Sequence, residues 1–399
     1  MTNGQATTAV LRQSIDIDSL VTWMSTNDDL QKHFQFHPVA PFLSDPTMLL
    51  ENVRIRQFGF GQSNPTYKVA IADDDLCLVL RKKPMSIAHP SAHALHREFR
   101  ILQALCRHNR LVAPDKQVPV PHPYVYCNDE SVLGSEFYLM QFVEGRIYTD
   151  SSMPEMSPAD RKRAYRSVVA VLANLHSVDM SRVGGLQTFG KGGNYVERQL
   201  RRLVAVSQRQ AELSQTPAPE IEDLARQLQA YAKHCPNQTS LLHGDFKIDN
   251  LVFHPTEPRV IAVLDWELST VGDPLCDLAN LSMMYLMPRN QLAAISGLRG
   301  MDLQSLNIPT RLQLLQLYCN QLHDCSMDEL QQWSGFYLAF ATFKNAVIVQ
   351  GVAQRAKAGV ASSAKAIEVA KALPIIVQTA QTLLDEVVRP VLKNPTSRV

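Results

Sequence analysis

The sequence predicts an α+β chain of two lobes, a small antiparallel β-rich N-terminal lobe and a larger, mainly helical C-terminal lobe. Three observations predict it. Between Val53 and Arg81, short runs alternate apolar and polar residues and are separated by turn-forming clusters, the period-2 pattern of half-buried strands. Beyond Asp160 the pattern turns helical, with long stretches rich in Leu, Ala and Gln near the end of the chain. Inside that helical part lies one strand-rich segment, LLHGDFKIDNLVF followed by VIAVLDWE, that sets carboxylates among apolar residues. The divisions that follow are an N-terminal extension with a short helix (1–50), the β-rich lobe (51–143) and the helical lobe (144–399).

Composition limits what such a chain can do. Its 399 residues have room for a large core, and 39 Lys and Arg against 38 Asp and Glu leave a net charge of +1. No global field points to nucleic acid or a membrane surface as partner. No apolar run is expected to approach the length of a membrane span, and the polar start MTNGQATTAV is not a secretory signal. Seven cysteines, an odd count without a C-x-x-C pair, fit reduced thiols and a cytoplasmic protein. Ser397-Arg398-Val399 loosely resembles a peroxisomal tripeptide, the weaker alternative for localisation.

In chain order, residues 1 to 12 are expected to lack structure, and Asp18 to Met24 to form a short helix. Val53, Ile55 and Phe58 start a strand that breaks at FGFGQSNPT; Tyr67–Ile71 and Leu76–Arg81 alternate on either side of the turn Asp73-Asp74-Asp75. A helix is expected from Ser91 to Cys106, then a strand from Gly134 to Val143. The helical lobe is interrupted by the loop Gly184–Asn194 and by the polar segment. There, Leu241-Leu242 and Leu251–Phe253 read as buried strand, Pro255 to Pro258 as a turn, and Val260–Leu264 as a strand pairing back.

The glycine loop between the first two strands offers Gly59, Gly61, Ser63 and Asn64. Glycine lets backbone N–H groups approach a phosphate closely, and Ser63 and Asn64 can donate to its oxygens; an ordinary tight turn is the plain alternative. A Rossmann reading fails because no helix follows, and a Walker loop fails for want of Gly-Lys-Ser/Thr. On the third strand Arg81 shares a face with Cys77 and Val79. Glu98 falls within the apolar stripe Leu95, Phe99, Leu102, Leu105 of the next helix and requires a cation, for which Arg81 is the natural partner. The two form either a structural ion pair or one that orients nucleotide phosphates.

Asp245 and Asn250 have the spacing D-x-x-x-x-N, and Asp265 ends the following strand. That pattern suits a base at Asp245 and hard-oxygen ligands for Mg²⁺ at Asn250 and Asp265. His243 is expected to pack and hold the loop, Asp273-Pro274 to begin a helix, and Asp277 to brace the loop or favour that helix N-terminus.

With those residues in view, LLHGDFKIDNLVF…VIAVLDWELSTVGDPLCDLANL resembles the catalytic signature of the aminoglycoside phosphotransferase-like kinases. The resemblance implies a protein-kinase-like two-lobed fold, ATP and Mg²⁺, with Asp245 as base, Asn250 and Asp265 on the metal, and Arg81 with Glu98 on the phosphates. Arg81 stands where kinases most often carry Lys. FGFGQSNPTY, LVLRKKP, SAHALHREFRIL, FGKGGNYVERQLRRL and FATFKNAVIVQGVAQRAKAG further resemble the kinase-like domain fused to acyl-CoA dehydrogenases of the family 10/11 type. That narrower resemblance implies a hinge to adenine at Met140, Gln141 and Phe142, and a small-molecule hydroxyl acceptor, a hydroxyacid or hydroxyacyl-CoA. Lys344 and Arg355, three helical turns apart with Lys357 nearby, form either a basic face for such an anion or a solvated surface. The alternatives are a nucleotide-binding pseudokinase and an aminoglycoside O-phosphotransferase. For the latter, the densest late acidic group is Asp324, Asp328 and Glu329, which also reads as a helix N-terminus.

Overall fold

The computed structural model describes residues 8–9, 15–59, 64–84, 94–289, 297–357 and 369–385. Its N-terminal lobe is built on one antiparallel sheet of β1 (Thr8–Ala9), β2 (Val53–Phe58), β3 (Thr66–Ile71), β4 (Leu76–Lys82), β5 (Pro123–Cys127) and β6 (Phe137–Gln141). The spatial order is β1-β2-β3-β4-β6-β5. Strand parity sorts the side chains. On β4, Leu78 and Leu80 join one core cluster while Val79 joins the other, and on β6 Leu139 and Met140 part in the same way.

Four helices, α1 (Ile17–Thr26), α2 (Asp28–Phe34), α3 (Ala40–Ser44) and α4 (Pro46–Asn52), cover one sheet face through Leu20, Leu30, Leu43 and Leu49. Only the first is expected from sequence. The others are short, but Asn27 caps α2 through the Leu30 N–H, and Asp45 caps α4 through the Thr47 and Met48 N–H groups. On the opposite face lies α5 (Leu95–Asn109), with Glu98 inside its buried stripe. The expected helix start at Ser91 lies outside the described residues.

Three further expectations are corrected. Thr8 and Ala9 pair with Phe58 and Gln57 as an edge strand, within the stretch expected to lack structure. Gly134 does not begin a strand: at φ 77° it ends the short helix α6 (Glu130–Leu133), a left-handed conformation that glycine adopts without strain. Finally, Cys319 and Cys325 are joined in a disulfide, so not every thiol is free.

The C-terminal lobe packs α8 (Tyr195–Ser214), α9 (Pro219–Ala232), α10 (Leu275–Ser282) and α11 (Arg311–Cys319) around the 31-residue α12 (Met327–Lys357), with α7 (Pro158–His176) against α11. By length and composition α12 could cross a membrane, which corrects the reading that no run is long enough; most of its apolar stretch is buried among these helices. A last helix, α13 (Leu373–Leu383), docks on α12. Two small antiparallel pairs face the N-terminal lobe: β7 (Ser240–Leu242) with β10 (Thr270–Gly272), and β8 (Leu251–Phe253) with β9 (Val260–Val263). The first puts Leu241 beside Val271, and the second brings Asn250 next to Leu264 through an N–H···O bond of 2.8 Å.

Candidate active site

The loop between β7 and β8 is fixed from below. Asp277, fully buried at the start of α10, accepts the N–H of His243 at 2.7 Å and of Gly244 at 2.8 Å. Burial pushes the Asp277 carboxyl up, but the bond from His176, the nearby imidazoles and these amides outweigh it and hold it below the ordinary carboxylate range. His243 Nε2 lies 2.8 Å from the Leu264 carbonyl, and its Nδ1 accepts the Asp245 N–H at 3.2 Å. An Nε2–H tautomer satisfies both bonds, so His243 is a strut of the loop. Gly244 has φ +86°, and a Cβ there would meet the Leu268 carbonyl at 2.4 Å. Only glycine fits that position.

The Gly244 carbonyl accepts from Lys344 Nζ at 2.8 Å and from Asn280 Nδ2 at 3.2 Å. Lys344 is therefore a tether of the loop and does not share a free basic face with Arg355, one of the two readings left open by the sequence. Lys357 is occupied with the Ser214 carbonyl and Thr216, while Arg355 is exposed about three turns beyond the loop contact. Asp328 and Glu329 sit in the first turn of α12, as a helix N-terminus favours.

Above this base the predicted residues converge. Asn250 Nδ2 donates to the Asp245 carbonyl at 2.9 Å and to its carboxylate at 3.2 Å. Lys247 Nζ lies 3.3 Å from both Asp245 and Asp249. Asp265 follows β9 in the left-handed region at φ 65°, an unusual conformation for a non-glycine residue and one that the surrounding structure must hold. Its carboxylate meets the N-terminal lobe: Arg81 Nη2 is 2.7 Å from Asp265, and Arg81 Nε is 3.0 Å from Glu98. Burial pushes the Glu98 carboxyl up to about 7, with the Arg81 charge opposing it. The same burial acts against the Arg81 guanidinium, but Glu98, Tyr138, Asp265 and Glu267 together raise it. One cation thus joins a strand, a helix and the end of β9.

Glu267 is the residue that the sequence reading misses. It lies 3.5 Å from Arg81 and accepts from Asn64 Nδ2 at 3.2 Å, which ties the end of the glycine loop to the Asp265 segment. Its signal is the second acid of DWE, two residues past Asp265. Of the loop itself, Gly59 is exposed at the end of β2 and Asn64 is buried; Gly61 and Ser63 lie outside the described residues. At the candidate hinge, Met140 is buried and Gln141 exposed, and Phe142 stacks on Phe58 at 6.3 Å with Lys68 over its ring.

Among the described residues no cluster of three His, Cys, Asp or Glu side chains could hold a metal alone. One carboxylate and one amide oxygen are nonetheless a fitting donor set for Mg²⁺, which keeps waters and takes phosphate oxygens for its remaining positions. On the other side of Asp245 opens a pocket of about 290 Å³, lined by Asp245, Lys247 and Asp249 and by apolar residues of α10, α12 and α13 and the segment after α10.

Residues 54–315 match the model of the phosphotransferase enzyme family. The chain belongs to this family. It is 42% identical to mouse acyl-CoA dehydrogenase family member 10 over 79% of its own length, and 42% identical to rat family member 11 over 75%. It spans only 28% and 36% of those relatives. Among solved structures, one from Ralstonia eutropha, assigned as an aminoglycoside phosphotransferase, superposes with a TM-score of 0.72 at 34% identity, over 94% of this chain and 99% of that one. An aminoglycoside phosphotransferase in complex with ADP and hygromycin B shares the fold at 15% identity and a TM-score of 0.54, over 84% and 97%. The phosphotransferase fold is thus a protein-kinase-like pair of lobes, with the candidate site between them.

Proposed function

We propose that this phosphotransferase moves the γ-phosphoryl group of ATP, with Mg²⁺, to the hydroxyl of a hydroxyacid or its coenzyme A thioester. The observation that carries the reading is the placement of Asp245. Its carboxylate lies beside Asn250, on the catalytic loop joined to the Asp265 segment, and it also lines the apolar pocket.

Each residue has a role within that reading. Arg81, held by Glu98, aims its guanidinium at the β- and γ-phosphates, while Met140, Gln141 and Phe142 receive adenine and Gly59, Gly61, Ser63 and Asn64 cover the phosphates. Asn250 and Asp265 would hold Mg²⁺, which would supply neutralisation of the phosphate charge. Asp245 accepts the acceptor's hydroxyl proton as that oxygen bonds to the γ-phosphorus and the bond to ADP breaks. Catalysis is then mostly positioning and electrostatic stabilisation.

An aminoglycoside acceptor is a polycation and needs several unpaired carboxylates. Among the described residues the pocket offers Asp245 and Asp249, and Lys247 already bridges both. A pseudokinase would have no need of Asp245, Asn250 and Asp265 in this arrangement. The test is a coupled ADP-release screen with Mg²⁺ against hydroxyacids, their CoA thioesters and aminoglycosides. Acceptor-dependent ADP release with the first two classes is expected; release with aminoglycosides alone would sink the acceptor assignment, and release with none would favour the pseudokinase.

A further inference from the structure

We propose that the pocket beside Asp245 is an acyl-chain site, and that Met283, Met287 and Ile376 set the length of chain it takes. The inference deepens the proposed function and rests on it only for placing the acceptor hydroxyl at Asp245.

Three elements build the site. From α13 and its N-cap Ala372 come Ala372, Ile376 and Thr379, spaced as one helical face, with Ile375 beside them. Ala380 is the buried residue of that helix, while Ile375 is 49% exposed and Ile376 half-buried. Leu373, Val377, Ala380 and Leu383 pack α13 on the core, while Ile375 and Ile376 line the pocket and leave apolar surface in contact with solvent next to a catalytic carboxylate. From the segment after α10 come Met283 and Met287, both also half-buried. Unbranched thioether side chains adapt to flexible apolar ligands. From α12 come Thr342, Asn345 and Val349, whose amide and hydroxyl carry no charge.

Electrostatics agree. Lys247, between Asp245 and Asp249, and the exposed Arg299 balance the two carboxylates of the lining, so the pocket presents no cluster of unpaired acids that would call for a polycation. Size is compatible: a volume of about 290 Å³ has room for an aliphatic segment. Ligand pockets in general combine an apolar lining with a few placed polar groups, as this one does.

The decisive experiment uses acceptors that cannot react. Calorimetric affinities of the full chain would be measured for butyrate, hexanoate, octanoate, decanoate and dodecanoate and for their CoA thioesters, none of which carries a hydroxyl. Affinity should rise about fourfold per buried methylene and then level off when the pocket is full. Ile376→Trp should move the plateau to shorter chains and weaken the longest by at least tenfold, and Met287→Ala should move it to longer ones, with melting temperatures near wild type. Affinity independent of chain length, or a plateau unmoved in both folded variants, would overturn the acyl site. Because the probes are unreactive, chain-length-dependent binding upholds the site even where hydroxylated acceptors release no ADP; that combination would overturn the kinase reading alone.

Discussion

The proposed nucleotide side and the proposed acceptor side of Asp245 pose opposite problems. Toward the N-terminal lobe, buried charge is concentrated on one cation: Arg81 reaches Glu98 at 3.0 Å, Asp265 at 2.7 Å and Glu267 at 3.5 Å. Toward α12 and α13 the lining is methionine, isoleucine, valine and neutral amides. A polyphosphate needs fixed charges that do not reorganise during transfer, whereas an alkyl chain needs only space and the absence of water. Asp245 belongs to both regions.

The largest expected effects fall on the charged side. Asp265→Ala should abolish turnover while the protein stays folded, since it removes the carboxylate proposed for Mg²⁺; unchanged turnover at saturating Mg²⁺ would break that assignment. Asp245→Asn should lower kcat by about 10²–10⁴-fold and leave ATP affinity close to wild type, as measured by nucleotide titration. Lost ATP binding with normal turnover of the bound fraction would make Asp245 a structural residue.

A third prediction compares buried acids across the molecule. Glu98 has Arg81, but Asp273, behind the loop, has the Tyr337 hydroxyl at 2.6 Å and the Leu275 N–H at 3.1 Å. Burial pushes its carboxyl up to about 6, against these bonds. A raised folded pKa means that the native state binds the proton more tightly than the unfolded chain. Its contribution to stability is therefore full below the unfolded value near 4 and is lost as pH rises through about 6. The stability of Asp273→Asn relative to wild type should rise across that window by up to about 3 kcal/mol and stay flat above it. A difference that does not vary with pH would show that Asp273 is not held in this way.

The smallest effect is expected at Lys344. Lys344→Met removes one of two donors to the Gly244 carbonyl, a net loss of about 1 kcal/mol, and so should lower kcat several-fold with little change in acceptor KM. Lys344→Arg should restore part of the rate. A rise in acceptor KM that weakens with salt would instead make Lys344 a substrate contact.

The same contrast explains what could be read from the sequence. Asp245, Asn250 and Asp265 are legible because their spacing is local, and Arg81 and Glu98 because strand parity and a helical stripe point each inward. Glu267 carries a weaker form of that signal. Periodicity aligns Lys344 with Arg355 and leaves a basic face or a solvated surface open; the Gly244 carbonyl that claims Lys344 is 100 residues distant. The pocket beside Asp245 draws on residues from Ser151 to Thr379, and no local pattern announces such a gathering. In the N-terminal lobe α2 to α4 were hidden by shortness, since five to seven residues give too few turns for periodicity and leave only the caps at Asn27 and Asp45 as signals.

The central claim is that Asp245 serves phosphoryl transfer from ATP to a hydroxyl on an acyl acceptor. Mass spectrometry of the acceptor after incubation with ATP and Mg²⁺ tests it most directly, with hydroxyoctanoate, hydroxyoctanoyl-CoA and hygromycin B offered in competition. The account predicts a phosphoester on the acyl hydroxyl with wild type, and none above background with Asp245→Asn. A phosphorylated hygromycin B with both acyl acceptors untouched, or equal product from Asp245→Asn, would contradict it.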